Sequence, residues 1–364
     1  MSTAETGPLA GCRIVEFDAI GPVPLAGMIL ADMGADIVRI GRPGSAAMAD
    51  MPGNVVLQRG RQTVELNLKD DAQRDRAMDL IAKADAVLEG QRPGVMERLG
   101  LGPEHCHARN ARLVYGRMTG WGQDGPLAQS AGHDIGYIAI TGALGSIGRK
   151  DAPPPPPLNL VGDYGGGTMF LIAGVLAGIL SARETGKGQV VDAAMTDGAA
   201  ILMSMFYAFH AGGMWKAERE ANLLDGGTPW YRCYETADGG HMAVGAIEPQ
   251  FYAELLAKLE LDPEDFPQGD KTGWPKMAEA FAAKFASRTR DEWAAHFEGS
   301  DACVAPVLSI AEAPAHPHNA ARQTFAEHRG IMQPMPAPRF SETPARIGKA
   351  SGTVAVEDAL GRWA

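Results

Sequence analysis

The sequence predicts an α/β fold in which a large, doubly wound, Rossmann-like domain carries a smaller α+β domain. Three observations predict it. At 364 residues the chain is long enough for one large or two ordinary domains, each with its own core. Its first third alternates short apolar runs with helical stretches, as a parallel sheet wound with helices requires. Beyond about residue 225 that alternation gives way to a hairpin-like unit followed by helices.

In order, "RIVEF" (13–17), "DIVRI" (36–40), "TVELNL" (63–68), "DAVLEG" (85–90) and "RLVYGRM" (112–118) read as strands. Between them "PLAGMILADMG" and "DAQRDRAMDLIAKA" read as helices, the second with Ala77, Met78, Leu80 and Ile81 opposite a charged face. Ligands of such sheets sit where loops leave the carboxyl ends of the strands. The turn after the first strand, "DAIGPVPLAG", is not G-x-G-x-x-G, and Pro22 and Pro24 stand where that motif needs free backbone, so a nicotinamide dinucleotide is not expected. "DAPPPPPLNL" (151–160) is a stiff polyproline connector leading to Asp163. "GDYGGG" then opens an apolar helix that stops at Gly186 and Gly188. Its most apolar run, Met169 to Leu180, is shorter than the roughly 20 residues that cross a bilayer, so it reads as a buried helix. A helix from about residue 196, the hairpin "YRCYETADGGHMAVGAI" and the helices "QFYAELLAKL", "KMAEAFAAKFAS" and "RDEWAAHFE" follow. The expected division is 1–195 and 320–364 for the large domain, 196–224 for a linking helix, 225–310 for the small domain and 311–319 for the return.

A net charge of -11 makes the surface as a whole a poor match for nucleic acid or anionic lipid, and neither is an expected partner. An anionic ligand must then meet a local basic patch. Arg39, Arg42, Arg59 and Arg61, against only Asp50, offer one; scattered solvated arginines are the alternative. The four cysteines are widely spaced and form no metal-holding cluster, so no metal is expected. The first residues have no basic start with an apolar core and the last four are not a peroxisomal address, which points to the cytoplasm.

Three residues invite chemistry. Asp163 at a helix start is either an N-cap or a carboxylate beside an anion-friendly backbone, and the glycines after it, Gly165 and Gly166 among them, suit close approach of a substrate. His133 in "AGHDIGY" is either a structural histidine or a base. Glu248 in "VGAIEPQFY" is either a first-turn carboxylate or a site residue. Met195, Met203, Met205 and Met214, with Phe206, Phe209 and Trp215, fall in one helical region and suit either core packing or an adaptable apolar surface.

Taken together, "GPVPLAGMILADMGADIVRI", "EGQRPGVMERLGLG", "MTGWGQDGP", "AGHDIGY", "VGDYGGGTMFLIAGVLAG", "GKGQVVDAAMTDG", "LDGGTPWYRCYETADGGHMAVGAIEPQFY" and "PMPAPRFSETP" resemble the family III CoA-transferases, the CaiB/BaiF group, from Leu9 to about Pro344. The resemblance implies that family's fold and its interlaced homodimer, with an active site drawn from the large domain of one subunit and the small domain of the other. It implies an acyl-CoA substrate and no separate cofactor. Transferases of the family use an aspartate at the position of Asp163 as nucleophile, whereas its racemases also carry the "GHD" and "IEPQFY" motifs. Having His133, Asp163 and Glu248, the chain resembles the racemase branch, in which a proton is taken from one face of a 2-methylacyl-CoA and returned to the other through an enolate. His133, supported by Glu248, would serve one face and Asp163 the other, with enolate donors at the helix start around Asp163 to Gly166. Arg39, Arg42 and Arg92 are the expected contacts for the CoA phosphates or adenine, with Arg59 and Arg61 behind them. CoA transfer through Asp163 alone, or acyl-CoA binding without catalysis, are the alternatives.

Overall fold

A computed structural model describes residues 7–45, 51–348 and 352–364. Asp50, the acidic neighbour of the expected basic cluster, lies outside the described residues, as do 1–6 of the amino-terminal stretch.

In chain order the strands are β1 (Arg13–Phe17), β2 (Asp36–Gly41), β3 (Gln62–Glu65), β4 (Ala86–Glu89), β5 (Val114–Thr119), β6 (Val190–Ala194), β7 (Tyr231–Glu235), β8 (His241–Gly245), β9 (Val304–Pro306), β10 (Phe325–His328), β11 (Ile331–Pro334) and β12 (Gly352–Thr353). The helices are α1 (Pro22–Asp32), α2 (Pro52–Leu57), α3 (Asp71–Ile81), α4 (Val95–Arg98), α5 (Pro103–Arg109), α6 (Asp134–Ala139), α7 (Met169–Thr185), α8 (Met195–Leu202), α9 (Ser204–Ala211), α10 (Pro249–Lys258), α11 (Trp274–Phe285), α12 (Arg290–Phe297), α13 (Pro317–Ala321) and α14 (Val356–Arg362).

The chain forms two compact units. The first comprises the residues up to Gly142, Pro157–Met203 and Pro317 onward. Its sheet has the order β12-β3-β2-β1-β4-β5-β6, parallel throughout, with Val15 opposite Val38 on one side and Val87 on the other. Burial on both faces explains why these strands read as unbroken apolar runs rather than alternating ones. β3 is shorter than "TVELNL" suggests. Asn67 turns the chain by accepting the Lys69 N–H, and Asp70 caps α3 by accepting the Gln73 N–H at 3.0 Å, so the side chains divert the backbone after Glu65. α1 starts at Pro22, and Gly21, at φ 80°, makes the turn into it. Pro22 opens the helix, where a missing N–H costs nothing.

The helix after the proline run departs from expectation. Leu160–Thr168 is π-helical and runs straight into α7, which ends on Gly186 at φ 74°. The continuous helix Leu160–Thr185 is therefore long and apolar enough to cross a membrane by length and composition, unlike the shorter run read from sequence. Half of its most apolar window is buried, with Leu171, Ile172, Val175 and Ile179 in the core beside Val114 of β5.

The second unit comprises Ala143–Pro156 and Ser204–His316. β7, β8 and β9 form an antiparallel sheet, and Gly239, at φ 76°, turns the first hairpin. Its core is aromatic: Tyr234 stacks on Phe285, which meets Trp293, and a Thr289–Glu292 capping box starts α12. These boundaries differ from the expected ones. Ala143–Pro156 belongs with the second unit, where Arg219 donates to the Arg149 and Ala152 carbonyls. Residues 196–203 belong with the first, because α8 packs on the π-helical turn: a Cβ on Gly198 would meet the Gly166 carbonyl oxygen at 1.9 Å. The methionine-rich stretch is accordingly split, Met195 and Met203 in the first unit, Met205 and Met214 in the second.

Candidate active site

In the first unit a cleft of about 1050 Å³ runs along the carboxyl edge of the sheet. Each neighbouring strand contributes the residues at its end: Asp18 after β1, Arg42 after β2, Lys69 beyond β3, Gln91 and Arg92 after β4, Trp121 after β5. Parallel strands deliver all these loops to one edge, which is why the site forms there. His133, Tyr137, Asp163 and Met195 complete the lining.

His133 is the exposed N-cap of α6, its side chain free of any capping bond. Asp163 is half-buried in the π-helical turn. Its Oδ2 accepts from Asn159 Nδ2 at 3.2 Å, and its backbone N–H donates to Asp134 Oδ2 at 2.7 Å. Gly21 allows the β1–α1 loop close to it, since a Cβ there would lie 3.3 Å from Asp163 Oδ2. Burial raises the Asp163 carboxyl above the ordinary carboxylate range; the Asn159 hydrogen bond opposes this, nearby Asp134 adds to it and nearby His133 opposes it. Tyr137 packs edge-on against Trp121 at 4.8 Å, in space left by Gly120 and Gly132. Burial, then Asp163, push its phenol up, and Arg92 pulls it down. The structure thus brings His133, Asp163, Tyr137 and Arg92 to one cleft. Glu248 lies in the second unit, as the N-cap of α10.

Three of the expected arginines are corrected. Arg39, Arg59 and Arg61 are 5%, 2% and 1% exposed, and each is committed to a carboxylate inside the protein. Arg39 pairs with Asp18 and Arg61 with Glu16. Arg59 grips Asp32 through two nitrogens, at 3.1 and 2.6 Å, and also donates to Gln333 and the Pro334 carbonyl. A buried guanidinium needs such partners, so none of the three is a free phosphate contact. Arg42 and Arg92 are exposed in the cleft, joined by Lys69 and Arg98.

The glycines after Asp163 are corrected too. A Cβ on Gly166 would meet the Ala199 amide nitrogen at 2.7 Å, and one on Gly165 the Leu160 carbonyl oxygen at 3.0 Å. They make room for α8 and for the tight helical turn, not for a ligand. Nor is the backbone around Asp163 a set of idle donors, because Asp163 N–H goes to Asp134 and Tyr164 N–H to the Asn159 carbonyl. Sequence reasoning passed over Tyr137, Asn159, Lys69 and Arg98. The first two carry a usable signal: each is four residues from a residue singled out, one helical turn from His133 and from Asp163.

The cleft thus combines a half-buried carboxylate, an imidazole and a rim of exposed cations, an arrangement suited to acid–base chemistry on an anionic ligand. The chain belongs to CoA-transferase family III, whose model matches residues 9–355. It is 44% identical to alpha-methylacyl-CoA racemase of Mus musculus and 43% identical to that of Homo sapiens, in each case over 93% of this chain and 87% of the relative. The crystal structure of a CAIB/BAIF family protein from Brucella suis superposes with a TM-score of 0.83 at 22% identity, covering 98% of this chain and 99% of that one, which shows the shared fold.

Proposed function

We propose that the protein is an acyl-CoA racemase that inverts the α-carbon of 2-methylacyl-CoA thioesters by 1,1-proton transfer. The observation that carries this reading is that His133 and Asp163 line one cleft with four exposed cations, Arg42, Lys69, Arg92 and Arg98. The likeness to two racemases over most of the chain supports it.

The chemistry follows from the substrate. The α-proton beside a thioester is weakly acidic, and its loss gives a planar enolate that can be reprotonated from either side. Inversion needs a base on one face and an acid on the other, exchanging roles with each direction. Burial that raises the Asp163 carboxyl makes its carboxylate a stronger base and leaves more of it protonated and able to return a proton, which suits a group that must do both. The developing enolate oxygen calls for donors near the pair; Tyr137 lines the cleft, and the Asn159 amide already reaches Asp163. The cleft cations hold the CoA phosphates. The reaction as proposed needs no separate cofactor, CoA being part of the substrate. It runs in a homodimer, a state supported by exposed apolar side chains such as Ile140 and Leu180 of the first unit and Tyr207 and Met214 of the second.

The test is α-proton exchange in deuterated water from each enantiomer of a 2-methylacyl-CoA. The wild type should incorporate deuterium from both while the centre scrambles. His133→Ala and Asp163→Ala should each lose exchange from one enantiomer, a different one in each case, and both should lose racemisation. CoA transfer to a second carboxylic acid that survives in His133→Ala, without α-exchange in the wild type, would replace this reading with a transferase.

A further inference from the structure

We propose that Asp134 is a positioning residue whose buried carboxylate holds the backbone of Asp163 and so sets one proton-transfer group of the cleft against the other. The assignment rests on the racemase reading above.

Asp134 directly follows His133 and is 6% exposed. Its side chain points away from the cleft opening, into the π-helical turn, where Oδ2 accepts the Asp163 N–H across 29 residues of sequence. That N–H lies in the first turn of a helix, where it has no acceptor within the helix itself. The approach is cut to fit: a Cβ on Gly162 would lie 2.6 Å from the same Oδ2, so only glycine lets the carboxylate in. Oδ1 is buried with no hydrogen-bond partner among the described residues. A buried carboxylate with one oxygen unpaired is costly, and such a cost calls for an explanation. Here the explanation is geometric. His133 and Asp163 come from different elements, and the residue beside the first is bonded to the backbone of the second. Thr168 fixes the far side of the turn, its hydroxyl donating to the Pro22 carbonyl at 2.8 Å. Asp163 Cα is thereby held between α6 and the first residue of α1.

The role separates from simple stabilisation by its asymmetry. Losing the bond frees the Asp163 backbone, whereas His133 keeps its place as N-cap of α6. A misplacement of about 1 Å in a reacting group costs on the order of 100-fold in rate. Asp134→Ala is expected to lower deuterium exchange from one enantiomer by that order, to change exchange from the other several-fold at most, and to leave KM in place. Asp134→Asn retains an oxygen acceptor for the Asp163 N–H and should stay within several-fold of wild type for both. Because Asp134→Ala also removes a buried group, Gly162→Ala serves as the second variant; it pushes the carboxylate off without removing it and should reproduce the one-sided loss. Melting curves by circular dichroism accompany each. Equal losses for both enantiomers in Asp134→Ala and Gly162→Ala, or no loss, overturn the assignment while leaving the racemase reading intact. A wild type that exchanges neither enantiomer overturns both.

Discussion

Two sets of arginines sit within about sixty residues of each other and behave oppositely. Arg39, Arg59 and Arg61 are enclosed and each bound to a carboxylate, whereas Arg42 and Arg92 stand exposed in the cleft. Their neighbours along the chain explain the difference. Arg39 lies within β2 and Arg61 immediately before β3, strands that are covered, while Arg42 and Arg92 follow strand ends, where loops meet solvent. A positive cluster in sequence is therefore not a positive patch. The carboxylates that neutralise the enclosed set, Glu16, Asp18 and Asp32, are distant in sequence and came into view only with the fold.

The largest effect should come from breaking an enclosed pair. Removing one partner strands the other charge, at a cost of roughly 3–5 kcal/mol, a large share of the stability of an ordinary domain. Arg61→Ala, which leaves Glu16 alone in a site that already pushes its carboxyl up, should lower the denaturant midpoint sharply or abolish soluble expression. The double variant Arg61→Met with Glu16→Leu should recover most of that loss, because the pair's attraction only offsets its desolvation. A single variant as stable as wild type would show that the enclosed set is solvated after all.

A milder probe uses Glu89, at the end of β4, which accepts from Arg117 Nε at 3.1 Å and from the Gln91 N–H at 2.6 Å. Burial pushes its carboxyl up to about 7 despite these bonds. The sign follows from proton counts. The folded protein keeps this proton until pH is near 7, whereas the unfolded chain releases it near 4.5, so over that window folding takes up a proton and stability falls as pH rises. Glu89→Gln does not titrate and should lack this decline, so the difference in unfolding free energy should move in the variant's favour between pH 5 and pH 8. A constant difference would mean that Glu89 is ionised in the fold throughout.

Much of this molecule is legible in its sequence, for identifiable reasons. β1 and β2 lie where their β-branched runs put them, and the Asp-Gly-Gly turn gave the β7–β8 hairpin. His133 and Asp163 stood out as titratable groups in apolar surroundings. What escaped depends on long-range contact. β6 is partly exposed and too mixed in pattern to stand out, and the π-helical turn packs against α8, with Gly198 close to Gly166, a contact between segments about thirty residues apart. The glycines looked like a ligand's footprint because close approach of any backbone selects the same residue. Lys69 and Arg98 are ordinary surface cations until the strand order places them at one edge.

The smallest effect, and the sharpest use of the contrast, concerns the cations of the cleft. An exposed charge pair contributes up to about 1 kcal/mol, which corresponds to a change of no more than about fivefold in affinity. Arg92→Ala and Arg98→Ala should each raise the Kd for an acyl-CoA within that range near physiological salt. The penalty should grow as ionic strength is lowered and shrink toward nothing near 1 M, where the screening length is only about 3 Å. Arg39→Ala should behave differently. Arg39 reaches the cleft only through Asp18, which it holds by an ion pair, and it is shielded from solvent ions, so any loss of affinity should come with a loss of thermal stability and change little with salt. Isothermal titration of the three variants at two salt concentrations, each paired with a melting curve, separates the cases. If Arg39→Ala showed the salt-dependent loss at full stability and Arg92→Ala showed none, the assignment of enclosed and exposed arginines would have to be exchanged.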